Sequence, residues 1–174
     1  LGPDEVPALL VHPDWQRPAP TLLWMHGRTA SKELDPGRYL RLMRAGIASC
    51  AIDLPGHGER PGPRRHSPKE TIDFALQAVG EIDGVVEALA DPALADGPED
   101  LFDLDRLAIG GMSAGGMIAL RRLCDPHPFR CALVEATSGR LREMYFPPDG
   151  GREPWPGEHP SAAVGPPRAP RPLA

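Results

Sequence analysis

Residues 109–116 read Ile-Gly-Gly-Met-Ser-Ala-Gly-Gly and place the pattern G-x-S-x-G around Ser113. Residues 106–109 before the pattern are mostly apolar and predict a short buried strand, and residues 117–123 after it predict a helix. Glycines on both sides of a serine permit a tight strand-to-helix turn, which leaves the serine hydroxyl in the open. The stretch therefore predicts that Ser113 is a nucleophile.

The size and charge of the chain argue against several classes of protein. Its 174 residues are enough for about one domain with a buried core. The formal net charge of −5 argues against nucleic acid or an anionic membrane as the main partner, and no apolar run is long enough for a transmembrane helix. We therefore expect a cytoplasmic protein that acts on a small molecule, without a nucleic-acid or membrane partner, and the oligomeric state stays open.

The cysteines and acidic residues do not form a metal-binding pattern. Cys50, Cys124 and Cys131 are odd in number and widely spaced, which predicts buried free thiols in a reducing compartment. Neither C-x-x-C nor H-E-x-x-H occurs, and the acidic residues 91–105 have no glycine at the loop position that an EF-hand needs. We expect a solvated loop at 91–105 and neither a metal nor a cofactor.

Short apolar runs alternate with helical patterns along the chain. Residues 21–25 and 47–52 predict buried strands, residues 131–134 predict a further strand, and residues 39–45 predict a helix that Gly46 ends. Strands that alternate with helices predict a parallel sheet covered on both faces, with the active site at the carboxyl ends of the strands.

A longer helix is marked by a capping box, in which Ser67 is the N-cap, Pro68 takes the first helical position and Glu70 reaches back. Apolar residues follow at steps of three and four and predict one buried stripe. The stripe consists of Ile72, Leu76, Val79, Ile82, Val86 and Leu89. Gly80 and Gly84 fall on the opposite face and each cost about 1 kcal/mol against alanine, so packing must hold this helix.

Three loops that follow the predicted strands together resemble the α/β-hydrolase fold over residues 19–137. Residues 26–27, His-Gly, resemble the oxyanion loop of that family, and residues 53–60, Asp-Leu-Pro-Gly-His-Gly-Glu-Arg, resemble its D-x-P-G-H-G-x-(S/R) loop. Residues 111–117 resemble its nucleophile elbow. The long helix, residues 103–106 and the Ser-x-Gly-Gly-Met run are most similar to small bacterial carboxylesterases of the dienelactone-hydrolase and prolyl-oligopeptidase-like branch.

The resemblance implies a role for three residues. Ser113 would be the nucleophile, and the backbone N–H groups of Ala114 and Arg28 would form the oxyanion hole, with the side chain of Arg28 free to face substrate or solvent. The implied reaction is cleavage of a carboxylic ester through an acyl-enzyme on Ser113. Thioesterase, peptidase and acyltransferase reactions use the same machinery and stay open.

The chain departs from the family in its second half. The family places an acid and then a histidine after later strands, and neither is found at such a position in this chain. Residues 1–146 therefore predict a partial α/β-hydrolase domain without its C-terminal strands, and the proline-rich residues 147–174 predict an irregular tail in the lid or linker position. Within that tail, His159 with Asp149 or Glu158 is a weak substitute pair. A catalytically incompetent fragment, or a non-enzymatic remnant of the fold, is the alternative to an active esterase.

The histidines before this tail are expected to have structural roles. His26 and His57 lie in the family loops and are expected to form local hydrogen bonds, whereas His12 and His66 are expected in exposed loops. His127 lies in a predicted helix-to-strand turn, on the face of the fold away from the nucleophile.

Overall fold

The structure is a computed structural model, and it describes residues 1–60, 62, 70–94, 98 and 100–139. In chain order the elements are β1 (Ala8–Val11), β2 (Ala19–Met25), α1 (Pro36–Arg44), β3 (Ala48–Ile52), α2 (Thr71–Leu89), a short 3-10 helix (Pro92–Leu94), β4 (Phe102–Met112), α3 (Ala114–Arg122) and β5 (Cys131–Glu135). The predicted alternation of strands and helices is confirmed. The predicted tail, residues 147–174, lies outside the described residues, so the domain boundary at 146 stays a prediction.

The strands form one sheet in the order β1-β3-β2-β4-β5. β1 pairs with β3 antiparallel, whereas β3, β2, β4 and β5 pair parallel to their neighbours. The carboxyl ends of these four strands therefore share one edge of the sheet. β1 was not predicted from the sequence; its four residues are half-buried and cover the side of β3 that faces away from β2.

Helices cover both faces of the sheet because side chains alternate along β2. Leu22 and Trp24 pack with Tyr39 of α1 on one face. Leu23 and Met25 point to the other face, where they join the larger core that α2 and α3 cover. The structure therefore has the three-layer α/β arrangement that the sequence predicts.

The apolar stripe of α2 differs from the predicted one in its first half. The buried apolar residues of this helix are Phe74, Ala78, Ile82, Val85, Val86 and Leu89. Leu76, predicted to be buried, is 48% exposed, because the helix instead turns Phe74 inward, where its ring lies 5.0 Å from that of His57. The helix begins at Thr71 with Glu70 at the N-cap position, and the predicted cap at Ser67 lies outside the described residues.

The predicted solvated loop at 91–105 is wrong in its last four residues, since β4 begins at Phe102. Ala19 pairs with Phe102 but Thr21 pairs with Leu107, so the register shifts where residues 104–106 are inserted. A β-bulge of this kind keeps a strand continuous while its pairing is interrupted. An apolar count along the sequence therefore places the start of the strand too late.

Two further predictions about burial are wrong. Cys50 is buried as expected, but Cys124 and Cys131 are exposed, because Cys124 follows the end of α3 and Cys131 lies in the outermost strand, β5. His12, expected to be exposed, is only 3% exposed. It follows β1, and its Nε2 lies 3.0 Å from the Leu101 carbonyl oxygen at the start of β4.

Candidate active site

Ser113 lies at a strained turn between β4 and α3. Its φ of 54° and ψ of −112° are rare for a residue with a side chain, and such a conformation stores about 1–3 kcal/mol of strain. The Ser113 N–H donates a 2.8 Å hydrogen bond to the carbonyl oxygen of Glu135, at the end of β5. The residue is exposed, so the turn presents the hydroxyl above the carboxyl edge of the sheet.

Glycines around Ser113 are required by close backbone contacts. A Cβ at Gly111 would collide with the backbone of Gly115, and a Cβ at Gly115 would collide with the carbonyl oxygen of Met25. A Cβ at Gly116 would lie 2.7 Å from the Thr137 side chain. Helix α3 can therefore start directly beneath Ser113 only because these positions carry no side chain.

The predicted oxyanion loop lies beside the elbow. A Cβ built on Gly27 would lie 3.5 Å from the Ser113 Cβ. Arg28 is the residue that directly follows Gly27 in the chain. The neighbouring His26 is fixed at both ring nitrogens: Nδ1 lies 2.7 Å from the Gly27 carbonyl oxygen, and Nε2 accepts a 3.1 Å hydrogen bond from the Leu54 N–H. The Leu54 bond requires Nε2 to be unprotonated, so Nδ1 carries the proton. Burial lowers the pKa of His26, which keeps the ring neutral.

A buried ion pair ties the oxyanion loop to the loop after β3. The Asp53 carboxylate is fully buried and accepts hydrogen bonds of 2.9 Å from the Lys32 N–H, the Lys32 ammonium and the Glu59 N–H. Lys32 also contacts Glu33 and Glu59 at 2.7 and 2.8 Å. Burial alone lowers the pKa of Lys32, but these hydrogen bonds outweigh it and raise the pKa above its ordinary value. Lys32 was not predicted, because nothing in its local sequence distinguishes it from a surface lysine.

A second ion pair ties helix α1 to the residue that holds the elbow. Arg38 donates two hydrogen bonds to the Glu135 carboxylate, at 2.7 and 2.9 Å, and its Nε donates one to Asp35 at 3.0 Å. Its guanidinium group lies 4.0 Å from the centre of the Trp24 ring, a cation–π contact. Because the backbone of Glu135 accepts from the Ser113 N–H, α1 and the elbow are connected through one residue. No local pattern predicted this pair, whose members lie 97 positions apart.

His26, His57 and His127 lie as predicted, whereas His12 is buried. His26 is held by the backbones of Gly27 and Leu54, and His57 is buried with Nδ1 3.0 Å from the Pro55 carbonyl oxygen. His127 is exposed in the turn after α3. His66 and His159 lie outside the described residues. Over the described ranges, then, no histidine is assigned as the base of Ser113.

The fold agrees with the comparisons with known proteins. The chain matches the Alpha/beta hydrolase family over residues 8–174 and belongs to that family. It is 29% identical over 150 residues to the esterase YjfP of Escherichia coli (strain K12), an alignment that covers 83% of this chain and 57% of YjfP.

Solved structures share the same fold. TT1662 from Thermus thermophilus is 28% identical with a TM-score of 0.57, over 80% of this chain and 56% of that one. The monoacylglycerol lipase of Paleococcus ferrophilus is 21% identical with a TM-score of 0.56, over 76% of this chain and 43% of the lipase. The chain thus spans about half the length of these relatives. No described helix combines the length and the apolar character that crossing a membrane demands.

Proposed function

We propose that these residues belong to a serine hydrolase that cleaves carboxylic esters through an acyl-enzyme on Ser113. The observation that carries this proposal is the elbow: an exposed serine at φ 54°, with Gly27 packed beside it. A protein stores strain at a serine only where the surrounding structure enforces it, and such positions cluster at functional sites. The similarity to a protein named an esterase supports the same reaction class.

The proposed reaction has two steps. The Ser113 hydroxyl loses its proton to a base as its oxygen attacks the ester carbonyl carbon, and the resulting oxyanion accepts hydrogen bonds from the backbone N–H groups of Ala114 and Arg28. Collapse of this intermediate breaks the bond to the alcohol. The alcohol takes up a proton and departs, and the acyl group stays on Ser113. Water then attacks the acyl group and releases the acid. Loss of one oxyanion donor typically lowers the rate about 100- to 1,000-fold.

A specific observation favours the alternative, a catalytically incompetent remnant. The reaction needs a base for Ser113, and both ring nitrogens of His26, which directly precedes Gly27, already have backbone partners, at Gly27 and Leu54. Oxyanion donors and substrate binding alone leave about 10³- to 10⁴-fold catalysis over water. Thioester, peptide and acyl-transfer chemistry would use the same elbow.

Labelling with a fluorophosphonate probe separates the two proposals. We expect the 174-residue chain to form an adduct at Ser113, located by mass spectrometry, and the Ser113→Ala variant to form none. Reaction at Ser113 would mean that a base activates it. A folded chain that stays unlabelled would favour the remnant, and full esterase turnover in Ser113→Ala would overturn the mechanism.

A further inference from the structure

A cavity of about 160 Å³ opens beside the elbow, on the face of the sheet that α1 covers. Its walls are formed by Trp24, His26, Leu34, Asp35, Arg38, Tyr39 and Met112. Met112 directly precedes Ser113, and His26 directly precedes Gly27, the residue packed against the Ser113 Cβ. The cavity therefore lies next to the position at which the proposed reaction would take place.

The polar groups of the wall already have partners. The Tyr39 hydroxyl donates a 2.6 Å hydrogen bond to the Lys32 carbonyl oxygen. Arg38 is bound by the carboxylates of Asp35 and Glu135, and the ring nitrogens of His26 are engaged by the backbones of Gly27 and Leu54. A polar ligand entering the cavity would give up its hydrogen bonds to water and receive few in return.

The rest of the wall is formed by the largely apolar side chains of Trp24, Leu34 and Met112. The indole of Trp24 is 3% exposed, and Leu34, at the mouth, is 55% exposed. The Met112 side chain reaches toward Gly27, since its Cε would lie 3.4 Å from a Cβ built there. Methionine adapts its shape to the group that packs against it. A ligand therefore gains binding free energy in this cavity mainly by burying apolar surface.

We propose that this cavity is the specificity pocket of the site and that it holds one small apolar end of the ester, of up to about six heavy atoms. The size follows from volume, because a cavity of about 150 Å³ in another protein holds one benzene molecule. The role of the pocket in selecting an ester depends on the proposed function, whereas its capacity to bind an apolar group does not. The group could be the acyl chain or the alcohol of the substrate, which share this chemistry.

Binding is tested with benzene as the probe, in the 174-residue chain. We expect benzene to shift the NMR signals of the Trp24 indole and the Met112 methyl group. Leu34→Trp, which fills the mouth, should weaken this binding at least about fivefold. Leu40→Trp is the matched control, because Leu40 is a 46% exposed leucine on the neighbouring helix α1 and lies outside the cavity. Absence of shifts at Trp24 and Met112, or equal binding in Leu34→Trp, would overturn the proposal.

Two isomeric esters then distinguish the acyl end from the alcohol end. Ethyl butyrate and butyl acetate have the same formula, but the four-carbon chain is the acyl group in one and the alcohol in the other. Leu34→Trp should lower kcat/KM about tenfold for the ester whose longer end enters the cavity, and Leu40→Trp should lower neither. If both esters are hydrolysed and Leu34→Trp affects neither, the pocket does not select the substrate. If neither is hydrolysed while benzene still binds, the proposed function fails and the binding site stands.

Discussion

Lys32 joins the loop after β2 to the loop after β3. Its ammonium group is the cation nearest to the fully buried Asp53 carboxylate, at 2.9 Å. Removing one member of a buried ion pair leaves the other charge without compensation, which typically costs about 3–5 kcal/mol. We expect Lys32→Met to lower the free energy of unfolding by about that amount in urea denaturation.

Arg106→Met is the matched control for this prediction. Arg106 is 57% exposed and pairs with Asp103 at 2.6 Å, and exposed pairs contribute less than about 1 kcal/mol. Similar losses in the two variants would show that Lys32 is not a buried counter-ion in solution.

The residues of the elbow region and the residues of the ion pairs differ in how well the sequence predicts them. Ser113 was predicted because the tight turn depends on its neighbours in the chain, and Gly27 because the His-Gly pair after a predicted strand resembles the oxyanion loop of the family. Lys32 depends on Asp53, 21 positions away, and Arg38 depends on Glu135, 97 positions away. Only the folded sheet brings those partners together, and no short pattern encodes them.

At the scale of the element, helix α2 contains two glycines in different surroundings. A Cβ on Gly80 would meet nothing within 4 Å, whereas a Cβ on Gly84 would lie 2.8 Å from the Pro3 ring. Alanine stabilises a helix by about 1 kcal/mol over glycine where there is room. We expect Gly80→Ala to raise the free energy of unfolding by about that amount, and Gly84→Ala to give no gain. A gain of equal size at both positions would show that the N-terminal segment does not pack on α2.

The same helix shows why periodicity predicts an element better than its orientation. Positions 72, 76 and 79 and positions 74 and 78 both follow helical spacing, and the two stripes merge at Ile82. The choice between them depends on which side chain best fills the space against His57, where Phe74 lies. That space is formed by a loop distant in sequence, so counting apolar residues could not select the correct stripe.

The contact between α1 and β5 predicts a pH dependence. Hydrogen bonds from Arg38 lower the pKa of Glu135 below its ordinary value of 4.5. A carboxylate with a lowered pKa in the folded state stabilises the fold above its unfolded pKa, and the stabilisation is lost as the pH falls through the folded pKa. The Tm of the wild type should therefore exceed that of Glu135→Gln at neutral pH, and the difference should shrink below about pH 4.5.

Glu87→Gln provides the comparison for this pH series, because Glu87 is exposed on α2. It should change Tm little at any pH. A difference between wild type and Glu135→Gln that stays constant into acid would mean that the ion pair does not form in solution.

At the scale of the whole molecule, the strand β5 at the edge of the sheet predicts how the chain associates with copies of itself. β5 pairs with β4 on one side, and no strand among the described residues pairs with its other side. Leu133 and Val134 in this strand are 44% and 36% exposed. Unpaired edge strands with exposed apolar residues promote pairing with other chains. We expect the chain to self-associate with rising concentration in analytical ultracentrifugation, and Leu133→Lys to reduce this association.

Leu76→Lys is the control for association, since Leu76 is similarly exposed, at 48%, but lies on a helix. Equal suppression by both variants would point to general hydrophobic attraction and against strand pairing.

The overall architecture was the most predictable feature of this molecule. Parallel strands buried on both faces produce continuous apolar runs, which the sequence displays at β2 and β3. β1 and the inserted residues of β4 were missed for the opposite reason, since an edge strand and a bulge are only partly buried. What the sequence could not provide was the side-chain contacts that position the loops.

The backbone character of the proposed oxyanion hole has a consequence for inheritance. The donor at position 28 is a main-chain N–H, and the side chain of Arg28 makes one long hydrogen bond, 3.4 Å to the Thr71 hydroxyl. Amino-acid substitutions at this position should therefore change the activity little. Proline is the exception, because it lacks the N–H. A saturation library selected for activity should recover almost every residue at position 28 and only serine at position 113. The gene is then free to drift at one of the three positions that the proposed reaction uses.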